Sequence, residues 1–146
     1  MNAGAFAVLA AFTGTGMPGA SLADLAGLGR RHPWLAASLS LFLLSLAGIP
    51  PTAGFLAKFY IFSEAVAKGH ILLAVAAVMA SLVSVAYYLK VIVAMYMKDA
   101  GSGPAIDQEN PALYLVIFLC LFGVLELGLW PGNLLTLIRM ALSPVF

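Results

Sequence analysis

The sequence reads as an all-α protein, a polytopic transmembrane helical bundle with one proline-broken helix. Three features lead there. Apolar and aromatic residues make up 63% of the 146 residues, and Asp, Glu, Lys and Arg only 9%, against about 25% charged residues in a soluble domain. Residues 32 to 57 and 71 to 89 hold no charged side chain, and residues 110 to 138 hold one, Glu126; a hydrocarbon core of about 30 Å takes roughly 20 mostly apolar residues as a helix. Backbone polar groups in lipid must pair within their own segment, so each run has to be helical. This composition excludes a soluble monomer and a disordered chain. Seven Lys or Arg against six Asp or Glu leave no basic footprint for nucleic acid. The single Cys120 excludes a disulfide framework.

The whole chain, 1–146, reads as a single membrane domain. Its first apolar run, 1–12, rises only about 18 Å as a helix and cannot cross the core. No positively charged stretch precedes it, so it is no signal peptide. It reads as a partial span, the tail of a helix that begins elsewhere, and the chain as a piece of something longer. Residues 13–33 read as a surface connection. There Ser21 can cap a short turn with Asp24 three residues on, and Gly27 and Gly29 close it. Arg30, Arg31 and His32 precede Pro33, which suits a helix's first turn, and Trp34, which suits the headgroup level.

A span follows over 34–67. As one straight helix it would measure about 51 Å and overshoot a bilayer. Its middle reads Gly48-Ile49-Pro50-Pro51-Thr52-Ala53-Gly54. Two adjacent prolines remove two amide donors and push the residues before them out of helical geometry. The prediction is two half-helices, about 34–48 and 52–67, joined by an extended break. Unpaired backbone at membrane depth is tolerated only where protein buries it or a wet cavity bathes it, and broken helices recur at ion and substrate sites.

The cleanest span covers 71–97, about 40 Å long, with small residues that permit close helix approach. A loop, 98–110, leads to Asn110 and Pro111, a cap-plus-proline start. A last span covers 111–130 and closes near Trp130, and a tail, 131–146, holds a short exposed helix with Arg139. Arg30, Arg31 and Lys98 lie on one side, Lys68 and Arg139 on the other. Provided that residues 34–67 cross once, the positive-inside rule places the 20–32 and 98–110 connections on the cytoplasmic side.

Lys58 is the principal candidate for chemistry. It follows the break by one turn, and an ionisable group inside a span is a functional hypothesis by default. Here the hypothesis is a proton relay; the competing reading is a stem that snorkels to the headgroups. Glu64 and Lys68 form an i,i+4 pair in the favourable order at a helix end and read as a surface pair. Lys90 is a weaker relay candidate, equally readable as an anchor, and Glu126 likewise, one turn from Trp130. The two histidines, His32 and His70, are isolated and with Cys120 form no ligand cluster. Dinucleotide, phosphate-loop, zinc-protease and nucleophile-elbow motifs are missing, so no redox chemistry, cofactor or metal is expected on this chain.

The run Ser45-Leu46-Ala47-Gly48-Ile49-Pro50-Pro51-Thr52-Ala53-Gly54-Phe55-Leu56-Ala57-Lys58-Phe59-Tyr60 closely resembles the second broken helix of the antiporter-like subunits of respiratory complex I, and best the subunit N (subunit 2) family of proton-translocating NADH–quinone oxidoreductase. Tyr87-Tyr88-Leu89-Lys90-Val91-Ile92 is similar to that family's next helix, and Asn2-Ala3-Gly4-Ala5-Phe6-Ala7 to the end of the helix before the break. The resemblance covers the whole chain but only the C-terminal part of such a subunit. It implies that Lys58 belongs to a central polar axis that carries protons and that Gly48, Pro50, Pro51 and Gly54 form the break. It implies a multi-pass chain of the bacterial inner membrane, with the other membrane subunits of complex I and the missing N-terminal helices as partners. NADH, FMN, iron–sulfur clusters and quinone would bind partner subunits. Two other readings stand beside it: a subunit of a multi-subunit sodium/proton antiporter, and a non-catalytic membrane assembly subunit.

Overall fold

A computed structural model describes residues 1–13, 21–99, 111–132, 136 and 140. Where the chain is described, proline and glycine set the helix limits. Six helices follow in order: α1 Asn2–Thr13, α2 Leu28–Arg31, α3 Pro33–Ala47, α4 Ala53–Ala67, α5 Ile71–Met97 and α6 Pro111–Leu129. Pro33 occupies the first position of α3, where its missing N–H costs nothing. Gly48 ends that helix in the left-handed region, at φ 87°. The two halves of the broken span lie within a residue of the expected 34–48 and 52–67. The short helix α2 was not expected from the sequence. The loop residues 100–110, part of the 13–33 connection and most of the 131–146 tail lie outside the described residues.

The connection entering α3 is built as its spacing predicts, as a short turn. The Ser21 amide donates to Asp24 Oδ2 at 2.8 Å, and the Asp24 amide donates to Ser21 Oγ at 3.3 Å. This reciprocal pairing satisfies two donors at once. Hydrogen bonding to the Asp24 carboxyl from Ser21, from its side chain first and from its backbone amide second, holds that carboxyl below its ordinary value. Arg31 Nη2 ties the turn together through the carbonyls of Asp24 and Ala26. The Gly27 amide then donates to the Ala94 carbonyl at 3.3 Å, and Arg30 reaches Asp99 at 3.7 Å. Arg30, Arg31 and the segment ending α5 therefore share one end of the bundle. Glu64 and Lys68 pair at 3.1 Å with exposed side chains at the end of α4.

Helix α3 is the hub. Its Leu35, Leu39 and Phe42 are buried with Val8 of α1, Leu28 of α2 and Met95 of α5. Phe42 lies where any side chain on Gly4 would have to go, so α1 and α3 approach closely. The second half of α5 lies along α3, with Tyr87, Tyr88 and Val91 beside Leu39, Leu43 and Leu46. Its first half lies along α4, with Ala74, Val78 and Met79 beside Phe59, Phe62 and Val66. The two half-helices thus follow one another along a single antiparallel partner.

Helices α5, with 27 residues, and α6, with 19, are long and apolar enough to cross a membrane. Their outer faces carry Leu72, Val83, Tyr87, Phe118 and Phe122, each more than half exposed. An exterior of this extent and polarity suits lipid, not water, and Trp34 and Trp130 stand exposed at the start of α3 and just beyond α6.

Candidate functional site

The last four carbonyls of any α-helix lack partners within it. In α3 these belong to Leu44, Ser45, Leu46 and Ala47, and each finds one. The Gly48 amide donates to the Ser45 carbonyl at 3.0 Å and to that of Leu44 at 3.1 Å, and the Ile49 amide donates to Leu44 at 3.1 Å. This is the glycine-terminated helix end, and it requires a residue that tolerates positive φ. Leu46 and Ala47 are left. Both accept from the Lys58 ammonium, at 3.0 and 2.9 Å. The second half-helix therefore closes the end of the first with its own cation. The negative end of the α3 dipole favours a positive charge there, worth about 0.3–2 kcal/mol depending on burial.

The start of α4 faces the opposite requirement, unpaired amides. The Gly54 amide donates to Ser45 Oγ at 3.2 Å, and the Ser45 hydroxyl, itself fully buried, donates to Met1 Sδ at 3.4 Å. Thr52 Oγ1 and the Thr52 amide both donate to the Ile49 carbonyl, at 2.7 and 3.2 Å, which shapes the short link. The Pro50–Pro51 peptide bond within it is cis. Gly54 packs directly on the Ser45 backbone, and a Cβ would collide with the Ser45 carbonyl. Helix α6 covers the link from outside: a Cβ on Gly128 would run into the Pro51 carbonyl and the Thr52 backbone.

Lys58 also lines a cleft of about 230 Å³ between the break and the middle of α5. Phe55, Phe59, Val78, Leu82 and Val85 make most of its wall, and Lys58 and Ser81 are the two polar side chains that line it. Lys58 is half-buried and borders this cleft. An ammonium carries three donors and no acceptor. Two are committed to backbone carbonyls, which leaves one for exchange.

The other sequence candidates lie apart from this centre. Lys90 is exposed on α5 and lines none of this cleft. Glu126 is half-buried on α6 and does not line it either. Gly48 touches the Lys58 stem, Pro50 and Pro51 form the link, and Gly54 seats α4 on α3. Among the described residues no group of three His, Cys, Asp or Glu side chains stands close enough to hold a metal ion. Three structural participants carried no distinct sequence signal. Ser45 and Gly128 act over nine residues and between helices, where no local spacing rule applies. Ser81 was visible only as one more small residue on α5.

The transmembrane family described as NADH:quinone oxidoreductase/Mrp antiporter matches residues 1–84. The chain is 42% identical over 142 residues to NADH-quinone oxidoreductase subunit N 1 of Herpetosiphon aurantiacus, covering 97% of this chain and 29% of that one. It is 42% identical over 143 residues to subunit N of Trichlorobacter lovleyi, covering 98% and 29%. It is 46% identical over 124 residues to subunit N 2 of Koribacter versatilis, covering 85% and 25%. Among solved structures it is similar to a chain of respiratory complex I from Thermus thermophilus with bound aureothin, with a TM-score of 0.69 and 32% identity over 78% of this chain and 26% of that one. The chain thus spans less than a third of the length of the relatives it matches.

Proposed function

The chain belongs to the NADH:quinone oxidoreductase/Mrp antiporter transmembrane family, and on that premise we propose that it is part of a membrane subunit of NADH–quinone oxidoreductase, the C-terminal part of a subunit N, and contributes to proton translocation coupled to quinone reduction. Lys58 is the proton carrier. The observation that carries this reading is the ammonium of Lys58 bound to the Leu46 and Ala47 carbonyls beside a helix break. The identity to subunit N chains favours the oxidoreductase over a sodium/proton antiporter subunit.

A carrier must hold a proton without trapping it. At Lys58 the backbone carbonyls stabilise the charged form through their dipoles, and the open side of the group faces the cleft toward α5. When the proton leaves, the amine binds those carbonyls less strongly, because a charge-assisted hydrogen bond becomes a neutral one. The α3 end and the α4 start are then held less tightly, so a change of charge at Lys58 becomes a change in how the half-helices dock. That is a local electrostatic event with a mechanical readout. Electron transfer would take place on partner subunits that hold NADH, FMN, iron–sulfur clusters and quinone.

The reading places the chain as a multi-pass bundle in the bacterial inner membrane, packed against the rest of its subunit and the other membrane subunits of complex I, with the Arg30–Arg31 end in the cytoplasm. The test is Lys58→Ala in the assembled complex. Proton translocation is lost while some quinone reduction persists if Lys58 is the carrier; unchanged protons per electron pair would refute it.

A further inference from the structure

Ser81 differs from three other serines inside these helices. Ser38, Ser40 and Ser84 each turn the hydroxyl back to the carbonyl four residues earlier, at 2.8, 2.7 and 3.1 Å. This is the ordinary way for a serine to satisfy itself within a helix. Ser81 sits one turn before Val85 on α5, faces the Lys58 cleft, and makes no such bond among the described residues. Its wall is otherwise apolar: Ala47, Ile49, Phe55, Phe62, Val78 and Leu82. This hydroxyl lines the same space as the Lys58 ammonium, and a water seated between the two would bond both.

We propose that Ser81 is a positioning residue for the proton path: it holds the water that takes the proton from Lys58. This rests on Lys58 being the carrier. The chemistry follows from which groups can accept. The Leu46 and Ala47 carbonyls bind two of the three ammonium N–H groups but do not take a proton from them. The third N–H is the one that breaks. Its proton forms a new O–H bond on a water in the cleft, the electron pair stays on nitrogen as a lone pair, and that water passes one of its own protons to the next. A cleft of about 230 Å³ has room for several waters. A serine hydroxyl both donates and accepts, so Ser81 can fix the first water by a hydrogen bond in either protonation state of Lys58. No other side chain lining the cleft offers this.

Three variants in the assembled complex separate the hydroxyl from the space it fills. Ser81→Ala removes the hydroxyl, Ser81→Thr keeps it on a larger side chain, and Ser81→Val matches threonine in shape without it. Protons translocated are measured per electron pair and normalised to intact complex, with Lys58→Ala in parallel. The expected result is a fall of about twofold to tenfold for Ser81→Ala and Ser81→Val, the loss of one ordinary hydrogen bond, and near-normal translocation for Ser81→Thr, with a raised solvent isotope effect in the two impaired variants. Normal translocation in Ser81→Ala, with Lys58→Ala inactive, would overturn the role of Ser81 and leave the carrier standing. Equal impairment of all three would assign Ser81 to packing and also overturn it. Normal translocation in Lys58→Ala would remove the carrier and this proposal with it. If the two larger variants do not assemble, Ser81→Ala decides, since it only deletes an oxygen.

Discussion

Lys58 Nζ lies 2.9 Å from the Ala47 carbonyl oxygen, across a break that two prolines impose. The two stand 11 positions apart in sequence, and the contact converts the discontinuity from a defect into a joint with a cation at its centre. The same ammonium reaches Leu46, so one side chain satisfies both carbonyls that the Gly48 turn leaves over.

Replacing Lys58 by methionine keeps the stem and removes the charge. The Leu46 and Ala47 carbonyls then lose the partner that the ammonium supplies. The expected cost is about 1–3 kcal/mol for each carbonyl that stays buried and unpaired. It is read as a lower midpoint of thermal unfolding for the detergent-solubilised complex, or as less intact complex in membranes. A midpoint equal to wild type would show that the ammonium does not hold the joint.

Gly48 adopts φ 87°, and a Cβ there would sit 2.9 Å from Lys58 Cδ. Gly48→Ala therefore carries two penalties: about 1–2 kcal/mol for an L-residue in left-handed geometry, and displacement of the flexible Lys58 stem. The expected outcome is a destabilised complex whose proton translocation falls further than its electron transfer. Equal losses in both activities would mean that Lys58 kept its place.

Gly54 and Gly128 have neighbours that cannot yield, since the atoms a Cβ would strike belong to backbone: Ser45 for Gly54, and Pro51 and Thr52 for Gly128. Gly54→Ala should separate α4 from α3 and prevent assembly. Gly128→Ala should push α6 away from the link while α3 and α4 stay joined, giving reduced but detectable complex. Native gel electrophoresis of the membrane fraction distinguishes them, and wild-type levels for Gly54→Ala would contradict the packing described here.

Asp24 supplies the pH prediction. Its carboxyl is held below the ordinary aspartate range by its hydrogen bonds with Ser21. A carboxyl lowered on folding stabilises the turn fully above its unfolded value, and that contribution disappears as pH falls through the folded value. Hydrogen exchange at the Ser21 and Asp24 amides should therefore stay slow at neutral pH and speed up relative to neighbouring amides under acid conditions. Ser21→Ala should return the Asp24 titration toward the ordinary range; no change in that titration would discount the reciprocal pairing.

Much of this arrangement was legible from residue order alone, for physical reasons. Consecutive prolines and a glycine dictate a break wherever they occur in a helix, so Gly48 through Gly54 marked the joint, and Lys58 stood out because a charge among apolar residues has few explanations. The Ser21–Asp24 spacing announced its own turn. Ser45, Gly128 and Ser81 stayed silent because their roles depend on which helices lie side by side. Serine and glycine are ordinary occupants of apolar helices, and only tertiary packing shows that one caps Gly54 and another admits the link. The short helix α2 was missed because two glycines and two arginines have no strong helical pattern; the bond from Gly27 to Ala94 and the packing of Leu28 hold it instead.

The central claim is that Lys58 closes the joint and also releases a proton, and Lys58→Arg separates these roles. Arginine keeps a permanent cation with donors enough for Leu46 and Ala47, but it does not lose its proton in a protein. Proton translocation by the assembled Lys58→Arg complex, measured in sealed vesicles during quinone reduction, is therefore the most direct measurement. The account predicts normal assembly with translocation reduced to a small residue of wild type. Full translocation with arginine at position 58 would contradict it, because the charge there would then never need to leave.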